Sequence, residues 1–187
     1  MKYLRIPLAL ALLAGAALVP GLNMAARADT GAMVECPITH EMFKDSAAHK
    51  GYVVDGKRVA FCCSKCPAVF AANPEQHITA AMLGKCPVMG GPDHTSATDR
   101  VVINNQLQYF CCAGCDTQFK ADPAKYVTTL TDVVSNKPFK VAEASPRSEY
   151  KGQVYLFSDA ANKSAFDKTP EKYAVVFGPT KDAPAAK

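Results

Sequence analysis

The sequence contains no tryptophan, only four histidines, and no cysteine after residue 115. It also lacks a Gly-rich phosphate loop, a Gly-x-Ser-x-Gly nucleophile turn and a His-Glu-x-x-His zinc motif. No other set of side chains forms a recognisable catalytic pattern. The sequence therefore predicts a binding protein and not an enzyme.

Runs of Lys or Arg are also missing. Of the 21 Lys and Arg residues, three lie within residues 1–28, so 18 remain against 17 Asp and Glu. A near-neutral chain without a basic patch argues against nucleic acid as the main partner.

The N-terminus has the pattern of an export signal. Lys2 and Arg5 precede an apolar stretch at 6–19, which is too short to span a bilayer, since about 20 apolar residues are needed. We predict a signal peptide at 1–28, cleaved near Ala28, and no membrane span in the mature protein. The mature chain is then expected in the periplasm or outside the cell, where disulfides can form.

A pattern of about 50 residues occurs three times, as periodic repeats do. Each copy has alternating apolar residues around a turn, then a helical segment, then a proline that starts a second short helix. The turns are at Asp55-Gly56, Asn104-Asn105 and Lys151-Gly152, the helices at 64–72, 113–121 and 160–167, and the prolines are Pro74, Pro123 and Pro170. We predict an α+β fold of three tandem units, each a small β-hairpin plus a short helix. Their bounds are 29–82, 83–130 and 131–178, with a flexible tail at 179–187.

All eight cysteines lie in the first two units. Each unit has one opening Cys followed by a Cys-Cys-x-x-Cys cluster: Cys36 with Cys62, Cys63 and Cys66, and Cys86 with Cys111, Cys112 and Cys115. If the helix begins at the cluster, its sulfurs gather on one side of the first turn, where the helix dipole favours thiolate. With the opening Cys, each unit offers three or four sulfurs, which suits Cu(I) or Zn(II), and also Hg(II).

The third unit keeps the apolar framework without any thiol. Ser158, Asp159 and Asn162 stand where the cluster stands in the other units, and Lys137-Pro138 is the expected replacement for the opening Cys-Pro. We expect this unit to depend on packing against its neighbours.

Two further side chains are weaker candidate metal ligands. His40 follows Cys36 by four residues, and Met89 follows Cys86 by three. An imidazole or thioether beside thiolates would favour Cu(I). The alternatives are an exposed loop position for His40 and a packing role for Met89.

The second unit carries a more specific signal. Its segments Cys86-Pro87-Val88-Met89 and Tyr109-Phe110-Cys111, followed by Phe119, resemble a YHS domain of the TRASH-like group. The resemblance implies a zinc-ribbon or treble-clef-like fold that binds heavy or transition metals. Carried over, it implies these ligands: Cys36, Cys62 and Cys66 in the first unit, and Cys86, Cys111 and Cys115 in the second.

Three functions remain open. The first is an exported metal-binding protein that captures, buffers or delivers Cu(I), or Zn(II) next, with a periplasmic metal-handling protein as a partner. The second is thiol-disulfide exchange through Cys63 and Cys66 and through the matching pair of the second unit. The third is a scaffold stapled by disulfides such as Cys36–Cys66.

Overall fold

A computed structural model describes residues 31–46, 48–93, 99–112 and 114–178. The predicted signal peptide, its cleavage point near Ala28 and the predicted tail at 179–187 lie outside the described residues. Within them, every helix is too short to cross a membrane.

The described chain has mixed α+β content. Its strands are β1 (Met33–Glu35), β2 (Met42–Lys44), β3 (Gly51–Val54), β4 (Lys57–Ala60), β5 (Lys85–Cys86), β6 (Gly90–Asp93), β7 (Asp99–Ile103), β8 (Gln106–Phe110), β9 (Thr129–Thr131), β10 (Pro138–Lys140), β11 (Arg147–Tyr150) and β12 (Gln153–Leu156). Its helices are α1 (Cys66–Ala72), α2 (Cys115–Ala121) and α3 (Ala160–Lys168), and each is followed by one 3₁₀ turn, at Pro74–Gln76, Pro123–Lys125 and Pro170–Lys172.

The three predicted hairpin turns are confirmed in the long hairpins β3–β4, β7–β8 and β11–β12. Both turn residues have positive φ in each of them: Asp55 and Gly56, Asn104 and Asn105, and Lys151 and Gly152. Paired positive φ values define the hairpin turn whose twist matches that of the strands. Asn, Asp and Gly tolerate this conformation, so local chemistry sets the position of the first two turns. In the third turn only Gly152 belongs to these residue types.

The predicted helices and proline-led turns are also confirmed, with shifted starts for α1 and α2. These helices begin at Cys66 and Cys115, two residues later than predicted. Helix α3 begins at Ala160, where the Asp159 side chain accepts a hydrogen bond from the Asn162 amide at 2.8 Å. The first two thiols of each cluster therefore precede the helix.

The long hairpins join into one six-stranded sheet, in the order β11-β12-β7-β8-β3-β4. The turn of one hairpin lies beside the following hairpin. The Asp55 amide donates to the Leu107 carbonyl at 2.9 Å, and the Asn104 amide donates to the Val154 carbonyl at 3.0 Å. Side chains strengthen the second junction, since Asn104 bonds both the amide and the carbonyl of Leu156.

Three short hairpins lie outside this sheet: β1–β2, β5–β6 and β9–β10. Cys36 follows β1, and Cys86 ends β5. Asp132 follows β9. The short hairpins therefore carry a cysteine or an acidic residue at the same structural position.

The end of the described chain returns to the first core. Phe177 is 5% exposed and packs in the same cluster as Cys36, Cys66 and Phe70. The Gly178 amide donates to the Ala71 carbonyl at 2.7 Å. A Cβ on Gly178 would lie 1.9 Å from the Ala72 carbonyl oxygen, so this close approach requires glycine. The third unit is thereby tied to the first.

Candidate metal centres

The short hairpin β1–β2 presents Cys36. The Cys36 amide donates to the Glu41 carbonyl at 3.0 Å, and the His40 amide donates to the Cys36 carbonyl at 2.9 Å. His40 adopts a positive φ of 59°, which turns the chain back into β2. These bonds hold the fully buried Cys36 against the first unit's core.

Cys36, Cys62 and Cys66 form the first candidate centre. Cys62 follows β4 and Cys66 begins α1, and the three sulfurs all lie within 4.8 Å of one another. The Cys62 and Cys66 sulfurs are 3.8 Å apart. A metal about 2.3 Å from each thiolate places the sulfurs about 3.8 Å apart in tetrahedral and about 4.0 Å apart in trigonal geometry. The triad could therefore hold a metal ion, with the Cys62 and Cys66 sulfurs already near coordination spacing.

The second centre repeats this arrangement with Cys86, Cys111 and Cys115. Its sulfurs again lie within 4.8 Å of one another, and those of Cys111 and Cys115 are 4.0 Å apart. Cys86 and Cys115 are buried, whereas Cys111 is exposed at the edge of the site. This centre could also hold a metal ion.

The middle cysteine of each cluster contacts one triad member closely but does not belong to the triad. The Cys63 sulfur is 3.2 Å from that of Cys66, and the Cys112 sulfur is 3.3 Å from that of Cys115. Neither belongs to the set of sulfurs that are all mutually within 4.8 Å. Both are exposed, so an additional solvent-facing thiol lies beside each triad. All eight cysteines are free thiols in the structure.

The thiol with the most strongly lowered pKa is Cys36. Its burial alone would raise the pKa, but the backbone N–H groups of Cys62 and Thr39 point at the sulfur and lower the pKa to about 6. The Cys86 pKa is also lowered, because N–H groups that include those of Cys111 and Met89 outweigh burial. The opening thiols therefore favour the ionised form that binds metal.

The cluster thiols differ from the sequence-based expectation. The helix dipole predicted a stabilised thiolate in the cluster, but burial raises the pKa of Cys66, and the Cys63 and Cys36 side chains raise it further. Burial likewise raises the pKa of Cys115. Cys66 and Cys115 are therefore proton-bearing in the metal-free protein, and the opening cysteines Cys36 and Cys86 ionise more readily than they do.

Both weaker candidates are exposed in the structure. His40 has an exposed ring whose Nδ1 contacts the Glu35 carboxylate at 2.7 Å. The Met89 side chain is 69% exposed, so it fills no part of the core, contrary to the packing interpretation. The Met89 backbone N–H points at the Cys86 sulfur.

The third unit corrects one sequence assignment. The Asp132 amide donates to the Lys137 carbonyl at 2.9 Å, and the Asn136 amide donates to the Asp132 carbonyl at 2.8 Å. These bonds match those around Cys36, and Asn136 has a positive φ as His40 does. Asp132, and not Lys137-Pro138, therefore occupies the opening position.

The sequence contains a spacing signal for Asp132. Asp132 precedes Ser158 by 26 residues, the interval that separates Cys36 from Cys62. Asp132 carries a carboxylate and not a thiol, and no proline follows it, so its correspondence with Cys36 is not evident from residue type.

Comparison with protein-family profiles, curated proteins and solved structures gives no match to this chain.

Proposed function

We propose that this protein is an exported carrier of a thiophilic transition metal, with one ion at each cysteine triad. The single observation that supports this best is the pair of triads, each with its sulfurs within 4.8 Å of one another and at least two of them near coordination spacing. Its role is capture, buffering or delivery of the metal. Two equivalent cysteine sites are better suited to storing and transferring a metal ion than to catalysing a reaction.

Cu(I) is the first choice of metal and Zn(II) the second. Three thiolates complete a trigonal Cu(I) site, whereas structural Zn(II) takes four ligands in a tetrahedron. Cys63 and Cys112 are the available fourth ligands, but each must move away from its close neighbour, at 3.2 and 3.3 Å, to reach tetrahedral spacing. Three ready sulfurs therefore favour Cu(I).

We further propose that the chain is a tandem array of YHS or TRASH-like units with a zinc-ribbon or treble-clef-like architecture, the third being degenerate. The recurring order of short hairpin, long hairpin, helix and 3₁₀ turn supports this. So does a ligand set that joins a hairpin turn to the start of a helix, as with Cys36 and Cys66.

The predicted export signal favours the periplasm as the place of action, with a periplasmic metal-handling protein as the partner. The exposed thiols Cys63 and Cys112 support such an exchange, because a partner's ligand can reach them from solvent. Soft metals move between thiolate proteins by stepwise ligand replacement, which needs an accessible sulfur.

Metal competition tests the proposed identity. The reduced protein is mixed anaerobically with equal amounts of Cu(I) and Zn(II), and the bound metals are identified by native mass spectrometry. We expect Cu(I) to fill both sites. Zn(II) retained in both sites would contradict the preference for Cu(I), and binding of neither metal would contradict the proposed function.

Thiol-disulfide exchange is the second candidate, favoured by the 3.2 Å between the Cys63 and Cys66 sulfurs. Cys63 is exposed, and the Cys66 thiol contact lowers its pKa, as in an attacking thiol. Reduction of insulin disulfides by the metal-free protein, lost in Cys63→Ser, would support this candidate.

A further inference from the structure

The carboxylate of Asp132 is the centre of a closed hydrogen-bond cluster. Asp132 is fully buried. One of its oxygens accepts from the Ser158 amide and hydroxyl, both at 2.9 Å, and from the Asn162 side-chain amide at 3.1 Å. The other accepts from the Val134 and Ser135 amides at 2.9 and 3.2 Å. Five donors therefore saturate this carboxylate.

These residues match the cysteine triads position by position. Asp132 occupies the turn of the short hairpin as Cys36 does, Ser158 follows the long hairpin as Cys62 does, and Asn162 lies four residues further along as Cys66 does. The Asn162 amide nitrogen is 3.0 Å from the Ser158 hydroxyl, so the three side chains contact one another. The third unit thus has a site of the same shape, with donor protons in the place of a metal.

We propose that Asp132, Ser158 and Asn162 form a third centre of the metal-site type, in which hydrogen bonds replace the ion. The equivalence with metal sites rests on the proposed function. The Asp132 carboxylate takes the place of the opening thiolate. The neutral side chains of Ser158 and Asn162 donate hydrogen bonds to it from the positions where two thiolates would bind a metal. Because hydrogen bonds between its own side chains hold this cluster together, it needs neither a metal ion nor reduced thiols, and it is stable in an oxidising compartment.

The position of this cluster gives it a role in the whole chain. The turn residue Asn104 bonds the carbonyls of Thr131 and Leu156, one residue from Asp132 and two from Ser158. Phe177, at the end of the same unit, completes the core around Cys66. A metal-independent third centre therefore anchors two units whose own centres gain and lose their ions.

Introducing three thiols into the third unit tests whether its Asp132 cluster is equivalent to the cysteine triads. In the triple variant Asp132→Cys, Ser158→Cys and Asn162→Cys, we expect the number of bound Cu(I) ions to rise from two to three by native mass spectrometry of the full chain. The matched control places three cysteines at exposed positions of the same unit: Lys140→Cys, Lys151→Cys and Glu171→Cys. It should stay at two.

The outcomes separate the two proposals. A triple variant that gains no ion overturns this inference, and so does a wild-type protein that binds three ions, since Asp132 would then be a ligand itself. A wild-type protein that binds none, with a triple variant that binds one, contradicts the proposed function and supports the third centre.

Amide hydrogen exchange of the wild-type protein supplies a test that does not depend on a folded variant. The Ser158 amide donates to Asp132, as the Cys62 amide does to Cys36. On removal of the metal with a chelator under reducing conditions, we expect less than about twofold change in exchange at Ser158 and more than about tenfold at Cys62. Equal acceleration at both amides would overturn the inference.

Discussion

Replacing Phe177 with Ala tests whether the end of the third unit is part of the first core. Phe177 is 5% exposed, and its ring packs edge-on against Tyr52 at a centroid distance of 5.1 Å. Truncation of a buried Phe costs about 3–5 kcal/mol, of which the aromatic pair accounts for about 1 kcal/mol. Within the described part of the chain, Tyr52 supplies the one aromatic ring paired with Phe177, so we expect a loss near the lower limit, about 3 kcal/mol.

Urea unfolding of the reduced, metal-free protein measures this loss, with far-ultraviolet circular dichroism as the signal. Removal of residues 179–187, which leaves Phe177 and Gly178 in place, is the matched control and should change stability by less than about 0.5 kcal/mol. Both variants retain the Gly178 amide and the Ala71 carbonyl, which are hydrogen-bonded in the wild type. A loss below about 1 kcal/mol in Phe177→Ala would refute the proposed tie between the third and first units.

Three further predictions concern the centres. Cys66→Ser should remove one metal equivalent and Cys63→Ser none, because only Cys66 belongs to the triad; equal loss on anaerobic titration would place Cys63 in the primary coordination sphere. The pKa of Cys36 is lowered to about 6, so this thiol is ionised at neutral pH and protonated near pH 5. Metal binding at the first centre should therefore release about two protons at neutral pH and about three near pH 5, as measured by calorimetry in buffers of different ionisation enthalpy. Release of three protons at both pH values would contradict an ionised Cys36. Burial raises the pKa of Asp132, but its hydrogen bonds hold it below the usual value, so its stabilisation is present above about pH 4 and is lost as pH falls further. The stability advantage of wild type over Asp132→Asn should shrink below about pH 4 in urea unfolding, and an advantage that stays constant there would contradict this linkage.

The features that the sequence predicted correctly are local. The turns at Asp55-Gly56 and Asn104-Asn105 depend on residues that accept positive φ, and the 3₁₀ turns depend on a proline at their first position. The cysteine sets were visible because thiols at fixed spacing have few other uses. Each of these signals lies within a few residues and needs no knowledge of distant contacts.

The features that escaped prediction depend on distant contacts. The short strands such as β1 and β9 have three residues each, too few for an apolar period. The parallel junction between Val54 and Leu107 joins residues far apart in the chain, and so does the packing of Phe177 on Tyr52. The pKa order of Cys36 and Cys66 follows from burial and from N–H groups that only the fold brings together.

The central claim is that each cysteine triad binds one thiophilic metal ion, and anaerobic titration of the reduced protein with Cu(I) against a competing chelator tests it most directly. The account predicts two equivalents for the wild type, one for Cys115→Ser, and none for the double variant Cys66→Ser with Cys115→Ser. Uptake of less than one equivalent by wild-type protein with all eight thiols reduced would contradict it.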